Sequence, residues 1–168
     1  MGQYNQWMNQ KIYRAAKDLG NEKIKEDSGA FFGSIFGTLN HIYVADIIWL
    51  RRFAQHPQKY RALSDSPELV SYTDLRAIAA RNIESLTVIR EELDLKIVNW
   101  YQEIEPKDLE CNLQYLDTEG NSYCKNFGNL IQHFFNHQTH HRGQVSTLFN
   151  QQGIDVGVTD LLKIIMDV

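Results

Sequence analysis

The longest helical pattern in the chain sets the terms for everything else. Leu130, Phe134, Val145 and Leu148 recur on one stripe with Phe127 near it, and Gly153 follows as a C-terminal cap. The spacing predicts a helix over 126–152, whose apolar face has to be buried against other helices. Four of the chain's six histidines fall in it: His133, His137, His140 and His141. At about 100° per residue, His137 and His141 stand about 40° apart, one turn above the other. His141 lies inside the apolar stripe and His137 at its edge, with His133 and His140 towards the polar side. An i, i+4 pair of this kind offers two imidazole nitrogens to one ion. Histidines scattered over a helix surface are the competing reading. A buried imidazole is costly unless its nitrogens find partners, and a metal would meet that need.

Three further long helices are expected, at about 2–19, 30–54 and 72–94. Tyr4, Trp7, Met8, Ile12, Ala15 and Leu19 trace one face of the first, which Gly20-Asn21 stops, and the charged residues 21–29 read as a loop. The second is apolar nearly all round and ends at His56-Pro57. Residues 55–70, with Pro57, Ser64, Asp65, Ser66 and Pro67, read as a connection. Ser71-x-x-Asp74 resembles a capping box that starts the third helix. Its core face would be Leu75, Ile78, Ala79, Asn82, Leu86, Ile89 and Leu93, with Arg81, Glu84, Arg90 and Glu91 outside. The period is lost from Asp94 to Lys125, where a small hairpin is expected around Asp117-Thr-Glu-Gly-Asn121. Thr159 or Asp160 can cap a last turn through Leu161, Leu162, Ile164 and Ile165. The 168 residues suit one domain, 1–168, an all-α four-helix bundle with a long connection carrying the hairpin.

Composition excludes more than it selects. Seventeen basic residues against twenty-one acidic give a net charge of −4, with Lys and Arg dispersed among acids. That argues against a nucleic-acid surface, which needs a concentrated basic patch. Asn40, His41 and Asp46 interrupt the most apolar run, Phe31 to Phe53, so no membrane span is expected. No secretory h-region is visible, and Cys111 and Cys124 form no CxxC pair; together these point to a reducing cytoplasm. A turn at Glu119-Gly120 would set Tyr115, not Cys111, opposite Cys124, which disfavours a disulfide.

A catalytic metal usually has three protein ligands and an open position. Outside the cluster only His41 and His56 remain. His56, beside Pro57, reads as surface. His41 lies mid-helix on a face with Ser34, Gly37, Thr38 and Ala45, small residues that leave room for an ion or serve plain close packing. A carbonyl and a water satisfy a lone core histidine equally well, so the residues alone leave both readings open. No Glu-x-x-His, His-Glu-x-x-His, Gly-x-Ser-x-Gly or phosphate-binding glycine loop occurs. Asp46, the one acid in the second helix, is expected to pair with Arg142. Gly143 in mid-helix, costing about 1 kcal/mol against Ala, suggests close helix contact, and Gln144 lies near His137 in angle, where it can orient a ligand or face solvent.

With His137-Gln138-Thr139-His140-His141-Arg142-Gly143-Gln144, and Leu39-Asn40-His41 through Asp46, Trp49-Leu50 and Arg52, the sequence resembles the DinB-like (damage-inducible) family over nearly its whole length. The resemblance implies a four-helix bundle, commonly dimeric, in which His41, His137 and His141 bind a divalent metal, with His140 in the motif but not a ligand. The wider superfamily includes transferases and isomerases that act with low-molecular-weight thiols. The implied activity is metal-dependent attack of a thiol or water on a small electrophilic substrate, as in a thiol S-transferase or a hydrolase. A stress-induced, non-enzymatic protein with a structural metal is the alternative. Zinc or nickel comes first among the ions, while imidazole also suits iron and copper.

Overall fold

The computed structural model describes every residue except Asp65, Glu68, Asp167 and Val168, so the Asp65 placed in the 55–70 connection lies outside the described residues. Among the described residues, five α-helices run in the order α1 (Gly2–Leu19), α2 (Asn21–Lys25), α3 (Ile35–Phe53), α4 (Ile83–Glu103) and α5 (Phe127–Gln151). A hairpin of β1 (Asn112–Leu116) and β2 (Ser122–Asn126) stands between α4 and α5. The four long helices form the bundle: α1 and α3 each pack on both α4 and α5. Phe53 stacks on Trp100 at 5.0 Å between ring centroids, and Phe134 meets both rings edge-on. These rings come from α3, α4 and α5 and tie the bundle together at one end.

The first and last helices lie where the periodicity put them. The segment 21–29 is not all loop: Asn21–Lys25 is helical and seals Ile24 in the core. α3 begins at Ile35 rather than near 30, because the Ser34 side chain accepts from the Gly37 amide at 3.0 Å. The Phe32 carbonyl occupies the space a Cβ on Gly37 would need, at 2.1 Å. The small residue at 37 thus lets the preceding loop fold back on α3, rather than leaving room for an ion.

The third long helix starts later than the pattern implied. Ser71-x-x-Asp74 caps no helix; the Asp74 carboxylate accepts from the Arg76 amide two residues on, as an Asx turn does. Residues 70–82 stay irregular, pinned to α3 by the Asn40 side-chain oxygen, which accepts from the Ala79 amide at 2.8 Å. Leu75 and Ile78 are therefore 41% and 58% exposed instead of core. Asn82 is the actual cap, accepting from the Ser85 amide at 2.8 Å. The helix then runs past Asp94 through buried Ile97 and Trp100 to Glu103.

Arg90, expected outside, is fully buried, and it rather than Arg142 is the partner of Asp46. Its guanidinium lies 2.6 Å from Asp46 on α3 and 2.9 Å from Asp94 one turn on. Asn9 of α1 donates to Asp94 at 2.9 Å, so the polar network spans three helices. Arg142 instead donates to Asn5 of α1 at 2.7 Å. Among the described residues no neighbouring atom meets the Cβ position of Gly143, so no close helix contact explains it.

In the hairpin, Asp117 accepts from the amides of Glu119 and Asn121, forming a five-residue loop. The register is one residue off the expected one: Cys124 faces Gln114, and Tyr115 faces Tyr123. Both thiols are free and exposed. A 3-10 turn at Leu161–Ile164 follows Asp160, which lends no side-chain cap.

Candidate metal centre

Two helices supply the cluster. His41 projects from α3 and His137 and His141 from α5, the i, i+4 spacing setting the latter two on one face. The Nε2 atom of His41 lies 3.2 Å from that of His137 and 3.2 Å from that of His141. Bonds of about 2.0–2.1 Å from one ion to three nitrogens bring those nitrogens about 2.8–3.4 Å apart, between octahedral and tetrahedral angles. The three side chains form a candidate metal-holding group among the described residues.

The other ring nitrogens fix the roles. His41 Nδ1 donates to the Leu75 carbonyl at 3.0 Å, and His141 Nδ1 to Gln144 Oε1 at 2.7 Å. With the proton on Nδ1, each Nε2 carries its lone pair inward, which is how a second partner sets the tautomer of a metal ligand. His137 Nδ1 is buried without a hydrogen-bond partner among the described residues. The Nε2 lone pairs of His41 and His141, 3.2 Å apart, repel one another unless a cation or a proton lies between them. Burial also keeps the rings neutral: His41 falls to about 4 and His137 to about 3, chiefly by desolvation, and His141 is lowered for the same reason. The residues fit a divalent ion.

Phe32 roofs the cluster, stacking on His41 at 3.8 Å and meeting His141 edge-on at 5.6 Å. Arg76 lies over Phe31 and Phe32 in turn. On another side a cavity of about 230 Å³ opens, with His41, His137, Ala45, Trp49, Arg52 and His133 among its walls. The small Ala45 thus does leave space, unlike Gly37.

The trio ranked first by burial and by resemblance is the one the fold brings together. His133 is exposed and packs edge-on against Trp49, while His140 is exposed and bonded to Gln144 Nε2 at 3.2 Å. His56, read as surface, is buried, stacked on Tyr60 and lying 4.4 Å from the Phe127 ring centroid. It serves the core beyond the end of α3 and takes no part in the cluster. The sequence carries no signal for Leu75, since a backbone acceptor has no residue type, nor for Phe32, which lies before α3 and off the face that bears His41. No helix among the described residues is long and apolar enough to cross a membrane.

The DinB family model matches residues 1–166. The chain is similar to "Protein DinB" of Bacillus subtilis (strain 168), 27% identical over 158 residues, which cover 94% of this chain and 87% of the relative. No solved structure gives a significant match.

Proposed function

Because the chain belongs to the DinB family, we propose that it is a metal-dependent enzyme in which His41, His137 and His141 hold a divalent ion. The observation that carries this reading is the convergence of three Nε2 atoms with their Nδ1 protons turned outward on His41 and His141. Three neutral imidazoles leave a divalent ion its full charge, which makes a thiol or water bound to it acidic enough to ionise near neutral pH. Zinc or nickel suits the donor set, with iron or copper as further candidates.

The chain's own residues do the rest. Leu75 and Gln144 hold two rings in orientation, and Phe32 excludes water from the face of His41. The cavity beside His41 and His137 admits a small molecule to the cluster, which a purely structural site has no use for. The reaction class is transfer of a thiol, or of water, to a small electrophile, in the cytoplasm and as a homodimer.

Elemental analysis of the purified protein, followed by a screen of electrophiles with and without small thiols, tests the proposal. One divalent ion per chain and turnover that disappears on chelation are expected, with the metal-free protein still helical by circular dichroism. Cooperative unfolding on chelation, together with no turnover by the loaded protein, would establish a structural metal instead.

A further inference from the structure

The cavity beside the cluster has a charged far wall. Arg52, one turn beyond Trp49 on α3, lays its guanidinium over the Trp49 ring at 4.5 Å and near the Tyr115 ring of β1 at 5.0 Å. Its Nε donates to the Leu116 carbonyl at 3.0 Å. Two aromatic faces and one backbone acceptor therefore fix the group at the cavity, where it lines the same space as His41 and His137. Among the described residues no carboxylate makes an ion pair with it. Asp117, the acid whose charge it feels, is occupied by the amides of Glu119 and Asn121 and by the Asn121 side chain. The Nη groups have no protein acceptor among the described residues, and a planar pair of such donors matches a carboxylate in two parallel bonds.

Held at the cavity by stacking, the Arg52 guanidinium is partly desolvated, and among the described residues it has no ion-paired carboxylate. Lys125 adds to the positive field near His133. The cavity offers only about 230 Å³. A ligand that reaches both ends is therefore short.

We propose that Arg52 is the specificity residue of this site and that it selects a small thiol bearing a carboxylate, the sulfur directed to the histidine cluster and the carboxylate to the guanidinium. This rests on the metal-dependent reading above and adds the substrate class to it.

The test uses the cobalt-substituted protein and three probes of similar length: 3-mercaptopropionate, 2-mercaptoethanol and cysteamine. The sulfur-to-cobalt absorption band reports binding of each. A charge-assisted pair predicts 3-mercaptopropionate binding about tenfold or more tighter than 2-mercaptoethanol, with the cationic thiol weakest. Arg52→Met should abolish the carboxylate preference, Arg52→Lys should keep part of it, and Lys125→Met should leave most of it. Cobalt stoichiometry and circular dichroism of each variant establish that the fold and cluster are intact. Equal affinity of the wild-type protein for all three thiols overturns the assignment of Arg52 alone. So does a preference that survives in Arg52→Met, which would place the carboxylate on the cobalt itself. Failure to retain cobalt, or absence of the band with every thiol, overturns the thiol-and-metal reading and this inference with it.

Discussion

His41 and His141, a hundred positions apart in the chain, bring their Nε2 atoms to 3.2 Å across the interface of α3 and α5. Each ring is held from behind by a different kind of acceptor, the Leu75 carbonyl for one and the Gln144 amide for the other. Ligand and support together define which substitutions should matter.

Replacing His41, His137 or His141 with Ala should each remove most of the bound metal, whereas His133→Ala and His140→Ala should retain it. Gln144→Leu should keep the stoichiometry but weaken affinity about 10- to 100-fold, the usual effect of losing a partner behind a ligand. Metal content after gel filtration and competition with a chromogenic chelator check both. Stoichiometric, tightly held metal in His141→Ala would show that the wrong trio was chosen.

Acid should act on the metal-free protein through the same rings. His41 and His137 have folded values of about 4 and about 3, below the ordinary 6.5, chiefly because burial disfavours the charged form. As pH falls below about 6.5 the unfolded chain takes up protons that the folded chain refuses, so stability declines towards pH 4. Urea midpoints at pH 7, 6 and 5 should fall in that order, and His137→Gln should flatten the slope. For the same reason the loaded protein should keep its ion to a pH below that at which free imidazole protonates.

The Arg90 guanidinium is the counter-charge for two buried carboxylates, Asp46 and Asp94. Desolvation works against its charge, but the two acids outweigh it and hold the group protonated. Arg90→Met should leave those acids unpaired and cost about 3–5 kcal/mol, typical of breaking rather than replacing a buried pair. Chemical denaturation of the metal-free variant measures it; a loss below about 1 kcal/mol would mean that Asp46 and Asp94 find other partners.

Self-association should use the outer face of α4. The nearly all-round apolar helix α3 is buried by its own chain almost throughout and offers no face to a second copy. Val88 and Leu95, two turns apart on α4, are instead 55% and 56% exposed. Light scattering should give a dimer for the wild-type protein and a monomer for the Val88→Glu, Leu95→Glu double variant. A wild-type monomer at micromolar concentration would contradict the expectation.

The sequence disclosed the parts whose signal is local. α1 and α5 carry unbroken 3.6-residue periods, and the i, i+4 histidines follow from α5 alone. What it hid depends on contacts made across the fold. Leu75 and Ile78 have helical spacing, but Asn40 and His41 use the backbone of that segment, which leaves it irregular. Arg90 reads as surface because nothing in its neighbourhood announces Asp46, forty-four positions earlier. His56 beside a proline looks solvated until Phe127 closes over it.

The separation of the ligands along the chain has a consequence for biosynthesis. A nascent polypeptide displays one of the three imidazoles, His41, through most of its synthesis; the other two arrive together within the final helix. An incomplete chain cannot assemble the trio, because a site of this kind does not pre-exist in unfolded protein. The three nitrogens therefore converge only once α5 has docked on α3, so on the proposed function a stalled or truncated product would hold no ion and have no activity.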